Sequence, residues 1–144
     1  PAFGNSQLST WLKRMQSSDR NGIEAIDAES LPAILALNNE HAAELSLLDA
    51  GRLAHLLGEA FLARQVGEAD SFIIAFDQDA DYDSPNFLWF RERYPRFAYV
   101  DRIAVSERAR GRGLARRLYE LLFEEARRAG HKGYRGLRAL ECGW

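Results

Sequence analysis

The sequence predicts an α+β domain, and three of its features carry this prediction. Two segments rich in β-branched and aromatic residues, 60–66 and 71–76, flank the polar turn 67–70 and are typical of an antiparallel hairpin. A further strand candidate, residues 97–105, runs directly into a glycine-rich turn. An amphipathic helix with a leucine stripe follows that turn and ends near Gly130.

The segment before the hairpin predicts a short strand followed by helices. Residues 23–27 alternate enough for a first strand, so we expect an N-terminal extension over residues 1–22 and a domain over residues 23–144. Ser30 before Pro32 predicts a helix start, since proline is tolerated in the first helical turn. Leucines at helical spacing predict two or three helices as far as residue 57.

Residues 77–96 are predicted to form a long loop, because they contain Pro85 and Pro95. The aromatic side chains of this segment either cover a substrate or pack against one another. In the strand that follows, simple alternation gives two faces. Tyr99, Asp101, Ile103 and Val105 are expected on one face, and Val100, Arg102 and Ala104 on the other.

Composition excludes several classes of protein. The chain of 144 residues is long enough for one domain, and its single cysteine, Cys142, rules out an intrachain disulfide framework and a cysteine-rich metal site. The spacing of the three histidines does not suggest metal ligands, so no metal is expected. No apolar run approaches the length of a membrane span, and residues 1–10 do not resemble a signal peptide. We therefore expect a cytoplasmic protein with no membrane partner.

Charge is unevenly distributed, although the net charge is only −2. Residues 1–100 hold 8 basic and 15 acidic side chains, and residues 101–144 hold 11 basic and 6 acidic ones. The basic part surrounds the glycine turn, which favours a polyanionic ligand such as a nucleic acid or a phosphorylated cofactor. Glutamates interrupt the basic helix, and no known nucleic-acid-reading module is evident, so a nucleic-acid partner is not expected.

The glycine turn has the features of a phosphate site. It lies between a strand and a helix start, where free backbone N–H groups meet the positive end of the helix dipole. A Walker loop would require Lys followed by Ser or Thr after the last glycine, whereas Leu114 and Ala115 follow here. A dinucleotide fingerprint would require three glycines early in a βαβ unit, and that pattern is also not met.

The pattern Arg108-x-x-Gly111-x-Gly113, between its strand and its helix, resembles the cofactor motif of the Gcn5-related N-acetyltransferases, the GNAT family. That motif is Gln or Arg, two residues, Gly, one residue, then Gly or Ala. The resemblance covers residues 23–130. It implies a mixed, mainly antiparallel sheet flanked by helices. It also implies transfer of an acetyl group from acetyl-CoA directly to a primary amine of a small molecule or peptide, so Cys142 need not act as a nucleophile.

The resemblance also implies which residues bind the cofactor. The backbone of Ile103 and Val105, with Ala104 between them, is expected to bind the pantetheine arm. The amides that follow are expected to hold the pyrophosphate, with the arginine side chains adding positive charge. These residues are Arg108, Ala109, Arg110, Gly111, Arg112, Gly113, Leu114 and Ala115.

Two carboxylates are the candidate catalytic groups. Asp101 precedes Ile103 by two residues and is expected to act as the base, directly or through water; a salt bridge to Arg96 or Arg102 is the structural alternative. Glu40 is expected to have a catalytic or acceptor-binding role, or else to be a solvated helix residue. It belongs to a polar cluster with Asn38, Asn39, His41 and Glu44. Tyr94 and Tyr99 are further candidates for proton donation.

The part of the chain after the motif helix departs from the family pattern. The family continues with a strand, a helix and a closing hairpin, whereas residues 131–144 suffice for one short strand at 137–142. We therefore expect the C-terminal strands and helix to be truncated, and the domain to be incomplete after about residue 130. An uncovered sheet edge favours association into a homodimer or other homo-oligomer. The alternative function is a non-catalytic CoA-binding remnant or interaction module.

Overall fold

The computed structural model describes residues 22–131. The predicted N-terminal extension, residues 1–22, and the predicted strand at 137–142 fall on residues outside this range, apart from Gly22, and stay predictions. The described part forms four strands and five α-helices, with a 3₁₀ turn at Glu107–Ala109. In chain order they are β1 (Ile23–Ala25), α1 (Leu31–Glu40), α2 (Ala42–Leu45), α3 (Ala50–Glu59), β2 (Leu62–Val66), β3 (Ser71–Asp77), α4 (Pro85–Arg93), β4 (Ala98–Val105) and α5 (Leu114–Arg128).

The four strands form one antiparallel sheet in the order β1-β2-β3-β4, which confirms the predicted α+β fold class. The β2–β3 hairpin is present as predicted, with Val66 opposite Ser71 at its closed end. Helices α1 to α4 contribute to an apolar layer on one face of the sheet, and α5 packs on the other. None of the helices in the described range has the length and apolarity that crossing a membrane requires.

The helix start predicted at Ser30 and the two or three helices predicted before the hairpin are confirmed. Helix α1 begins at Leu31, with Ser30 as its N-cap residue and proline in its first turn. The chain breaks after Glu40 and again before α3, which gives three helices. Asp49 caps α3, since its carboxylate accepts a hydrogen bond from the Arg52 backbone N–H at 2.7 Å.

The prediction of a long loop over residues 77–96 was wrong, because this segment contains helix α4. Pro85 lies in the first turn of the helix and Pro95 lies beyond its last residue, so the two prolines bracket the helix and do not interrupt it. Phe87 and Phe90 are buried in the layer that also contains α1. The aromatic side chains therefore pack mainly against one another, and Trp89 is the most exposed of them.

The predicted faces of β4 were also wrong, because the strand has a β-bulge at Asp101. Arg102 lies opposite Ile74 and Val100 lies opposite Ala75, so Asp101 has no opposite residue on β3. One extra residue reverses the alternation on either side of it. Tyr99 consequently shares the α1 face with Ala104, whereas Val100 packs with Ile103 and Val105 on the α5 face.

Candidate cofactor cleft

Two glycines give the turn before α5 its shape. Gly111 and Gly113 adopt left-handed backbone conformations, with φ of 79° and 71°. A Cβ added at either position would meet no atom of residues 22–131 within 4 Å, so backbone conformation, and not crowding among these residues, requires glycine here. Gly113 is the N-cap residue of α5 and provides no side chain to bond the first amides. The first-turn amides therefore have no acceptor within the helix.

The edge of β4 provides a second set of backbone groups. The carbonyl of Ala104 accepts a hydrogen bond from Ser71 Oγ at 2.8 Å, and the N–H of Ser106 donates to the Asp70 carbonyl at 2.8 Å. Both of these even-numbered residues point their backbone groups toward β3. Since backbone direction alternates along a strand, the N–H and C=O groups of Ile103 and Val105 point away from β3. No strand within residues 22–131 pairs with that outer edge.

A cleft of about 500 Å³ lies where these backbone groups meet. Its floor is apolar, from Ile103, Val105 and Leu114, and residues of the glycine turn form one side. His41, Glu44 and Leu45 from the α1–α2 corner form another side. The described residues that line it are His41, Glu44, Leu45, Ile103, Val105, Ala109, Arg110, Gly111, Gly113, Leu114, Ala115 and Arg116.

The arginines of the turn point in two directions. Arg108 forms an ion pair with Asp70 at 3.0 Å and also donates to the Glu68 carbonyl at 3.1 Å. Arg112 forms an ion pair with the other carboxylate oxygen of Asp70 at 3.4 Å. Both side chains therefore anchor the turn to the β2–β3 hairpin. Arg110 and Arg116 line the cleft and bring positive charge to it, and Arg116 Nε also pairs with Glu120 at 3.0 Å.

This set of groups matches the chemistry of coenzyme A. The first-turn amides of α5 and the two cleft arginines suit a pyrophosphate, because both favour negative charge. The apolar floor and the outward backbone of β4 suit a pantetheine arm, which is an aliphatic chain with amide groups. No group of three or more His, Cys, Asp or Glu side chains within residues 22–131 could hold a metal ion.

Asp101 lies in a buried network beside the cleft and is not among the residues that line it. Its carboxylate bonds Arg102 Nε at 2.8 Å and accepts from the Tyr82 hydroxyl at 2.5 Å, and its side chain is only 6% exposed. Of the two predicted structural alternatives, the salt bridge to Arg102 is the one present. Burial, together with the Asp101 charge, raises the pKa of Tyr82 well above its ordinary value.

The network continues into the corner that forms one side of the cleft. Arg102 Nη1 donates to Asn38 Oδ1 at 2.8 Å, and Asn38 Nδ2 donates to the Ser46 carbonyl at 2.9 Å. Asn39 bonds both the N–H and the carbonyl of Leu48 at 3.0 Å. The two asparagines of the predicted polar cluster thus fix the backbone after α2, where Ser46 has a φ of 67°.

The remaining members of the polar cluster separate at the end of α1. Glu40 is exposed and lines a different groove, whereas His41 and Glu44 line the cleft. The Nδ1 atom of His41 lies 3.0 Å from the Leu37 carbonyl. A carbonyl can only accept, so Nδ1 carries a proton and neutral His41 has Nε2 as its acceptor nitrogen.

Neither tyrosine considered for proton donation lines the cleft. Tyr99 is 1% exposed and lies in the aromatic core, where burial raises its pKa. Tyr94 is half-buried and stacks on Phe90. Both side chains therefore belong to the packing of the α1 face.

Sequence reasoning missed two residues of the cleft, Leu45 and Arg116. Arg116 is one of the charged side chains of the motif helix. It lies in the first turn of α5, directly after Leu114 and Ala115, where a side chain can reach a ligand bound at the helix N-terminus. That position is the signal that could have identified it.

Comparison with protein families agrees with this geometry. Residues 53–142 match the model of the Acetyltransferase (GNAT) family, and this span includes the glycine turn, β4 and α5. No curated protein and no solved structure gave a significant match. Members of this family transfer acetyl groups with acetyl-CoA to amine acceptors. The match covers more than half of the chain, and the chain therefore belongs to the GNAT acetyltransferase family.

Proposed function

We propose that this protein is an acetyl-CoA-dependent N-acetyltransferase that moves the acetyl group directly to a primary amine of a small molecule or peptide. The observation that carries the proposal is the cleft itself. It joins the uncapped N-terminus of α5 to the outward backbone edge of β4. Helix amides favour a phosphate, and an open strand edge favours an amide-containing chain.

The residues proposed to hold coenzyme A fall into three groups. The backbone of residues 108–115 binds the pyrophosphate, with charge from Arg110 and Arg116. The side chains of Arg108 and Arg112 support binding indirectly, because their ion pairs with Asp70 hold the turn in place. Ile103, Ala104 and Val105 form the strand segment along which the pantetheine arm lies.

When bound, acetyl-CoA supplies the thioester carbonyl that the amine attacks. The transfer forms a C–N bond and breaks the C–S bond, and one proton moves overall from the amine to the sulfur. His41 is well placed to take the amine proton, because it lines the cleft and its Nε2 is the acceptor nitrogen. Glu44, on the same side of the cleft, attracts the cationic amine.

The geometry favours a positioning role for Asp101 and places Glu40 outside the cleft. Asp101 already accepts from Arg102 and Tyr82, and that network reaches the corner that carries His41. Glu40 lies beside His41 in sequence but lines a separate groove. We therefore propose His41 as the base in preference to Asp101 or Glu40.

Binding is tested by calorimetric titration of CoA into wild type and two glycine variants. Gly111→Asp should weaken CoA binding about a hundredfold or more, since juxtaposing like charges at an interface costs several kcal/mol. Gly22→Asp is the matched control, because Gly22 also has a positive φ, 77°, and nothing within 4 Å of an added Cβ. Equal affinities for the two variants would contradict the pyrophosphate assignment.

Catalysis is tested by following CoA release from acetyl-CoA with a panel of primary amines. His41→Gln should lower kcat by about 10²- to 10⁴-fold while CoA affinity stays within a few-fold of wild type. Glu40→Gln should have a much smaller effect on kcat. A larger loss of kcat for Glu40→Gln than for His41→Gln would instead assign the base to Glu40. If wild type binds CoA but shows no turnover, the result would support the non-catalytic remnant.

Self-association is a separate proposal. The part of the outer β4 edge before Ile103, which the pantetheine arm does not use, is not paired by any strand in residues 22–131, and open edges recruit other chains. Sedimentation velocity at micromolar concentration should therefore detect a homodimer. A well-folded monomer would contradict this proposal without affecting the cofactor assignment.

A further inference from the structure

A second groove, of about 790 Å³, lies beside the C-terminal part of α1. It runs between α1, the β2–β3 turn and the segment after β4, and it shares no lining residue with the cleft. Four of its lining side chains are apolar, Ala33, Ala36, Leu37 and Ala69, and these are called its floor. The proposed acetyltransferase function does not use this groove.

Three carboxylates line the groove without a compensating cation. They belong to Glu40, Glu68 and Glu107, all exposed, and none forms an ion pair within the described residues. Arg108 is the one cation among the described lining residues, and its guanidinium is already held by Asp70 at 3.0 Å. The groove therefore has a surplus of negative charge, which favours a cationic ligand.

Ser106 provides an independent indication of a ligand. It is 8% exposed, and its Oγ has no hydrogen-bond partner in the part of the chain that the structure describes. The residue is extended, with φ of −62° and ψ of 148°, so alternation from Ala104 places its side chain on the α1 face, toward the groove. Buried hydroxyl groups normally form hydrogen bonds. Rotation about the Cα–Cβ bond allows the Ser106 hydroxyl to face a donor in the groove.

The spacing of the carboxylates discriminates between kinds of cation. No three acidic or histidine side chains within residues 22–131 are close enough to hold a metal ion. The charges are spread along a groove with an apolar floor, which suits ammonium groups separated by methylenes. Methylenes would contact the alanines, and ammonium groups would donate to the carboxylates and to Ser106.

We propose that this groove binds a linear aliphatic polyamine. The assignment does not depend on the proposed function, because the groove and the cleft share no lining residue, and Arg108 is assigned to the pyrophosphate site through its backbone alone. Each exposed carboxylate contributes modestly, whereas a charged hydrogen bond to Ser106 contributes more.

The experiment is calorimetric titration of spermidine into the full chain, with and without saturating CoA. Binding is expected in both cases, and neither butylamine nor Mg²⁺ should match the affinity. Ser106→Ala should weaken spermidine binding about tenfold without lowering folding stability, since it removes a hydroxyl that has no partner. The double variant Glu68→Gln, Glu107→Gln should weaken it roughly fivefold, and raising the salt concentration should weaken it further.

Two matched variants locate the site. Glu92→Gln removes an exposed carboxylate on α4, outside the groove, and should leave spermidine affinity unchanged. Glu44→Gln alters the cofactor cleft and should also leave it unchanged. The proposal is overturned if folded wild type shows no binding at millimolar spermidine. It is equally overturned if Glu44→Gln, and not the groove variants, loses binding.

Discussion

Replacing Arg102 by methionine should cost a large part of the stability of this domain. Arg102 is 6% exposed, and its guanidinium bonds both Asp101 and Asn38 at 2.8 Å. Methionine fills a similar volume but donates nothing. The Asp101 carboxylate would then keep its hydrogen bond from the Tyr82 hydroxyl but lose its ion pair with Arg102. Asn38 Oδ1 would lose the hydrogen bond that it accepts from Arg102.

The magnitude follows from the burial of the partner. Removing one member of a buried ion pair typically costs about 3–5 kcal/mol, because an uncompensated charge stays in the interior. The Asp101 side chain is 6% exposed, so solvent can compensate little of this loss. Such a cost is a substantial part of the roughly 5–15 kcal/mol that stabilises a typical domain.

Urea unfolding followed by circular dichroism measures this loss, with Arg128→Met as control. Arg128 pairs with Glu124 at 2.7 Å on an exposed helix face, so its loss should cost no more than about 0.5 kcal/mol. Adding Asp101→Asn to Arg102→Met should recover part of the stability, because it removes the uncompensated negative charge of Asp101. A loss below about 1 kcal/mol for Arg102→Met, or one equal to that of Arg128→Met, would refute the reasoning.

Two further predictions concern stability. Asp49→Ala should lower the free energy of unfolding by about 0.5–2 kcal/mol in urea, since it removes the N-cap of α3, whereas Asp49→Asn should retain most of it. Burial lowers the pKa of His131 in the folded protein below its value of about 6.5 in the unfolded chain. As the pH falls through about 6.5, the unfolded chain therefore binds a proton that the folded protein does not, and stability decreases. His131→Phe keeps a ring beside Phe61 and should show a shallower loss of stability between pH 7 and pH 5 than wild type; identical slopes would contradict this.

Local sequence signals predicted most of the described fold. Proline after Ser30, the turn at residues 67–70 and the leucine stripe of α5 each act through nearby residues, and each predicted the right element. The same local logic failed at α4. Its prolines were interpreted as loop residues, although proline at the first turn and beyond the last turn is compatible with a helix.

The bulge at Asp101 could not be predicted from the sequence alone. Alternation places Asp101 beside Ile103, and that shared face was the reason to propose it as the base. The inserted residue breaks the alternation, and nothing in the local pattern marks its position. Long-range pairing was equally inaccessible: Arg102 meets Asn38 across 64 positions, and Arg108 meets Asp70 across 38.

The shape of the glycine turn was predicted more successfully, because it depends on local backbone conformation. Gly111 and Gly113 both adopt the positive φ that favours glycine, and α5 begins directly after them. What the pattern could not give was the direction of the arginine side chains. Two of them, Arg108 and Arg112, form ion pairs with Asp70 on the β2–β3 hairpin and so point away from the cleft.

A crystal structure of the full chain with CoA tests the central claim most directly. We expect the pyrophosphate oxygens within hydrogen-bond distance of the backbone amides of residues 111–115, with the pantetheine arm along the outer edge of β4 at Ile103 and Val105. A pyrophosphate bound instead on the Arg108 and Arg112 side of the turn, or an arm that does not touch β4, would contradict the account.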